Sequence, residues 1–84
     1  MPSLHEIYEE ELRMRKLRGL VDLTAQKLRV LDLSKEDGIK LIEETKKLVL
    51  ELFPDKESQF ELIYRPRFLR ILGENIALRN AGTE

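Results

Sequence analysis

The chain has 84 residues, 15 Lys+Arg against 16 Asp+Glu, one His and no Cys. That length allows one helical domain over 1–84, and the missing thiols exclude a disulfide framework, a zinc knuckle and thiol catalysis. A net charge of −1, with 42% hydrophobic and 37% charged residues, argues against disorder and against general attraction to nucleic acid or anionic membrane.

No apolar run approaches the ~20 residues of a membrane span, and Met1–Glu10 is too acidic for a signal peptide, so a cytoplasmic protein with no membrane partner is expected. Asn and Gln number four (Gln26, Gln59, Asn75, Asn80) beside abundant Glu, Lys and Arg, a bias of heat-adapted chains.

Ser3-x-x-Glu6 opens the first element as a capping box, a hydroxyl three residues before a carboxylate. Ile7, Met14, Leu17, Val21, Thr24, Leu28 and Leu31 then mark one helical stripe, with Gly19 on the opposite side. An unbroken helix from Ser3 to Leu31 is about 42 Å long, whereas a globule of this size has a diameter of about 30 Å. The helix therefore either breaks near Gly19 or overhangs and finds a partner.

The second element starts at another capping box, Ser34-x-x-Asp37, and runs to Phe53. Leu41, Ile42, Thr45, Leu48, Val49, Leu52 and Phe53 make its apolar face. Glu43 and Lys47 form an i,i+4 pair on the other side. Phe53-Pro54 ends it, because the residue before proline is pushed out of the helical region. Asp55 is expected to cap a third helix reaching Asn80 and kinked at Pro66, with Asn80-Ala81-Gly82 as its C-cap and 83–84 as a frayed tail. Segments 28–33 and 60–64 also carry the alternation of short strands.

The expected fold is all-α: a compact bundle of three to four helices, the last kinked at Pro66. Its expected core is Met14, Leu17, Val21, Leu28, Leu41, Leu48, Val49, Leu52, Phe60, Phe68, Leu72 and Ile76.

Catalytic chemistry finds little footing. His5 is the one imidazole, next to Glu9 one turn on, and a metal site needs three or four converging ligands. Asp32, Ser34, Glu36 and Glu43 fall at calcium-loop spacing, but the sixth position holds Asp37 where the loop requires glycine. The four glycines stand alone, so no phosphate loop is present. No catalytic, metal or cofactor-binding residue is assigned, and the protein is read as a non-enzyme without a cofactor.

Two features point to partners. Tyr64, Arg65, Arg67 and Arg70 interleave cations and aromatics around Pro66, as an anion-binding patch would, although Glu61–Arg65 and Arg70–Glu74 could satisfy the same arginines at i,i+4. Leu12, Leu20, Leu23, Val30, Ile39 and Leu50 lie off the main stripes, as surplus apolar surface for a second neighbour. The expected function is a protein–protein interaction module, self-associating or accessory to a larger protein. The alternative is a small nucleic-acid-binding domain using Arg65, Arg67 and Arg70.

Overall fold

Two serines decide where the first two helices begin. In a computed structural model of the chain, which describes residues 3–81, Ser3 Oγ accepts from the Glu6 N–H at 3.2 Å at the head of α1 (Leu4–Val30). Ser34 Oγ accepts from the Asp37 N–H at 3.1 Å at the head of α2 (Lys35–Leu52). Each hydroxyl satisfies one of the donors that a helix start leaves without a partner. α1 does not break at Gly19. A lone glycine on the solvent side costs only about 1 kcal/mol, too little to interrupt 27 residues.

A third rod follows, made of α3 (Glu57–Gln59), a π-helical turn (Phe60–Tyr64) and α4 (Arg65–Ala81). Pro66 has no N–H to offer the carbonyl four residues back. The ladder widens just ahead of it, where the Arg65 N–H bonds the Phe60 carbonyl, so the expected kink takes the form of a π-turn. Asp55 does not cap this rod. It lies in the turn at 54–55, the N-cap position is Lys56 and no side chain bonds there. The Lys56 carbonyl instead accepts from the Phe60 N–H at 2.9 Å. The expected cap at Gly82 and tail at 83–84 lie outside the described residues.

The described residues include no strand. Residues 28–30 finish α1, and the aromatic content of 60–64 has a helical purpose. Phe60, Tyr64 and Phe68 cluster with ring centroids 5.9–6.4 Å apart, within the range of favourable tilted and offset pairs.

The core comprises Leu17 and Leu28 of α1, Ile42 and Val49 of α2, Phe60 of the π-turn, and Phe68 and Leu72 of α4. Val21, Leu41, Leu52 and Ile76 are half-buried. Met14 and Leu48, both expected inside, are 37% and 45% exposed. Leu48 sits at the margin of its helix face, and Met14 lies where α1 leaves the bundle. α2 returns antiparallel to α1, with Thr24 and Thr45 hydroxyls 2.8 Å apart in the core. α4 then runs antiparallel to α2. Gly38 permits their closest approach, because a Cβ there would meet both methyls of Leu72 and, at 3.0 Å, its Cγ.

A polar clamp that composition did not suggest holds the far end of α1. Asn75 Nδ2 donates to the carbonyls of Leu28 at 2.7 Å and Leu31 at 2.8 Å. These belong to the last turn and C-cap of α1, whose carbonyls lack helical donors. Arg79 Nε donates to Asn75 Oδ1 at 3.0 Å, and its other nitrogens reach Asp32 and the Leu33 carbonyl. With this end clamped, the overhang falls at the other. The molecule measures 60 × 19 × 16 Å with a radius of gyration of 15.5 Å, against about 12 Å for a globule of this length.

Candidate interaction site

The arginine cluster divides. Arg65 is turned inward and held by two carboxylates: its Nε donates to Glu61 Oε2 at 2.5 Å, and Nη2 lies 2.5 Å from Glu43 Oε1 and 3.2 Å from Glu61 Oε1. Its guanidinium also stands 5.9 Å from the Phe60 ring centroid. Tyr64 is half-buried in the aromatic cluster. Arg67 and Arg70 are exposed on α4 and form no ion pair among the described residues. The i,i+4 alternative thus closes for Glu61–Arg65, while Arg70 and Glu74 do not meet.

Lys46 extends the Arg65 network, lying 2.5 Å from Glu61 and 3.4 Å from Glu57. Hydrogen bonds from Arg65 and then Lys46 hold the Glu61 carboxyl down at about 2. The Glu61 hydrogen bond raises Lys46, and the same partner, followed by Glu43, raises Arg65. Glu57, expected near the arginines, lies against Lys46 instead, and Glu43 and Lys46 were not foreseen in this role, since only the cross-helix register of α2 against the third rod brings them in. Chemically the network stitches two helices, and it commits the Nε and Nη2 donors of Arg65 to carboxylates within the chain.

The apolar surplus gathers on α1. Every described residue from Ser3 to Lys16 is exposed, including Leu4 at 87%, Ile7 at 43% and Tyr8 at 61%. Further along, Leu23 and Val30 stay exposed, whereas Leu20, Ile39 and Leu50 are half-buried against the bundle. The helical stripe read from the sequence is therefore buried over Leu17–Leu28 and open over Ile7–Met14. An open groove of about 660 Å³ follows this open half, lined by Ile7, Glu10, Glu11, Met14, Arg15 and Arg18 with Lys56. A smaller apolar groove of about 380 Å³ lies along α4 between Leu69 and Asn80.

His5 Nε2 sits 3.0 Å from Glu9 Oε1 on this exposed segment. Among the described residues no three His, Cys, Asp or Glu side chains gather as metal ligands would. The calcium-loop spacing is spent on a helix start, since residues 35–43 are helical from their first position. No described helix is long and apolar enough to cross a membrane. Comparison with known protein families, curated proteins and solved structures finds no match.

Proposed function

We propose that this chain is a non-enzymatic helical protein–protein interaction module that self-associates. One observation carries the reading: α1 outruns the bundle by about three turns and holds Leu4, Ile7, Tyr8, Leu12 and Met14 in solvent. Isolated helices of 12–15 residues are marginal in water, and exposed apolar stripes of this kind mark interaction surfaces. The rigid part of the chain serves as a base that presents the projecting half-helix. Arg67 and Arg70 stand apart from it on α4 as rim cations for a partner's carboxylates.

Light scattering and sedimentation at about 100 µM test the reading, which expects a species of twice the chain mass. A clean monomer at that concentration removes it. The nucleic-acid alternative retains Arg67 and Arg70 but not Arg65, and it expects salt-sensitive retention on heparin.

A further inference from the structure

The projecting half of α1 has a charge order that selects its partner. Glu6, Glu9, Glu10 and Glu11 precede Leu12, and Arg13, Arg15, Lys16 and Arg18 follow it, with no acidic residue among positions 12–21. All eight are exposed. Among the described residues of this segment His5 Nε2 and Glu9 Oε1 meet at 3.0 Å, and neither Glu9–Arg13 nor Glu11–Arg15 forms an ion pair despite i,i+4 spacing. Arg13 leans on the Phe53 ring, 5.8 Å from its centroid.

On the groove face the same order recurs, with Glu10 and Glu11 beside Ile7, and Arg15 and Arg18 beyond Met14. A sequence acidic in one half and basic in the other is complementary to its own reverse. Laid parallel and in register, two copies would stack like charges. Laid antiparallel, each acidic half meets the other's basic half.

We propose that the occupant of this face is a second copy of the chain, paired antiparallel through the α1 overhang about a two-fold axis near residues 12–13. Ile7 and Met14 form the apolar seam, and Glu10 and Glu11 of each copy face Arg15 and Arg18 of the other. A two-fold contact of this kind is isologous and closes at a dimer. The charges fix direction and register, while the apolar seam supplies the burial. This pairing rests on the self-association reading and adds to it the surface, the direction and the axis.

The test is a charge exchange in the full chain. Glu10→Lys/Glu11→Lys makes the α1 side of the groove wholly basic, and Arg15→Glu/Arg18→Glu makes that side wholly acidic, with Lys56 on the opposite edge unchanged in both. Circular dichroism verifies that each stays helical, as expected for surface changes.

Each variant alone is expected to dimerise about tenfold or more weakly than the wild type, by replacing cross-pairs with like charges. An equimolar mixture should recover wild-type association as a heterodimer. In the wild-type background, spin labels on Asp22→Cys should lie about 30 Å apart along the axis, at 1.5 Å per residue on either side of the two-fold.

A dimeric wild type whose exchange variants associate equally well, or whose mixture does not recover, overturns the pairing and leaves self-association standing. Labels at position 22 within about 15 Å of each other indicate a parallel pair and overturn it too. A monomeric wild type removes both readings.

Discussion

Replacing Asn75 by Asp changes one atom's chemistry at the clamp on α1. The carboxylate keeps the oxygen that receives Arg79 but turns the donor facing Leu28 and Leu31 into an acceptor. Leu28 is fully buried, so its carbonyl finds no water in exchange and loses about 1–3 kcal/mol. The Leu31 carbonyl lies on a residue 43% exposed; water can replace its donor, leaving about 0.5–1.5 kcal/mol. A stronger contact with Arg79, whose side chain is 34% exposed, returns up to about 1 kcal/mol.

At mid-range these sum to a net loss of about 2.5 kcal/mol, set against the roughly 4–13 kcal/mol that a domain of this length holds in total. Urea unfolding followed by circular dichroism reads it as a lower midpoint at unchanged m. Thermal unfolding reads it as a fall of about 10–20 °C in Tm. A loss below about 0.5 kcal/mol would refute the clamp as the element that ends and holds α1.

Three further outcomes are expected from the interior and the ionic network. Gly38→Ala drives a methyl into Leu72 and should destabilise by about 1–2 kcal/mol, whereas Gly19→Ala, with nothing within 4 Å of the added carbon, should stabilise by up to about 1 kcal/mol; equal signs in thermal unfolding would contradict the packing. Thr45 Oγ1 gives its proton to the Leu41 carbonyl at 2.9 Å, which makes Thr24 the donor between the two hydroxyls. Thr45→Val should therefore strand the Thr24 donor at about 1–3 kcal/mol, and a double change to valine should recover part of that in a double-mutant cycle. Glu61 titrates near 2 in the fold against an ordinary value of 4.5, so its stabilisation is complete above the ordinary value and is lost as pH falls from there toward 2. Glu61→Gln should flatten the Tm–pH curve across that acid interval, and an unchanged acid limb would show that the network is not formed in solution.

The parts of this fold that were legible in the sequence are those whose causes are local. Ser3 and Ser34 cap helices through residues three positions away, and the spacing of Leu17, Leu28, Val49, Phe68 and Leu72 reports one buried face each. Asp55 misled because a capping residue type does not guarantee a cap when the chain is still turning after Pro54. The fate of Gly19 was undecided because its own cost is small and the outcome depends on what the rest of α1 packs against. Asn75 was invisible in its role, since its partners Leu28 and Leu31 lie 47 and 44 residues away. A polar residue in phase with Phe68, Leu72 and Ile76 was the one available signal. For the candidate site, the Glu61–Arg65 spacing suggested half of the arginine's fate, and Glu43 on another helix decided the other half.

The two ends of α1 differ in what secures them, and that difference leads back to function. At the C-terminal end, Asn75 and Arg79 hold backbone carbonyls by directed hydrogen bonds across the bundle, so α1 cannot slide or rotate without losing buried bonds. In the middle, Thr24 and Thr45 add a second directed contact. Ahead of Met14, the described neighbours from outside the helix are the Phe53 ring under Arg13 and the edges of two open grooves, one at Lys56 and one where Glu10 and Arg13 line up beside residues 52–56. A helix fixed at one end and free at the other keeps its free half helical by propagation from the docked turns, which removes most of the nucleation cost of a 13-residue segment. The bundle thereby holds Ile7, Met14 and their flanking charges in a single orientation before any partner arrives, and preorganisation of that kind lowers the entropy lost on association. The directed polar contacts specify where the overhang points, and the undirected apolar surface that remains is the part available for assembly.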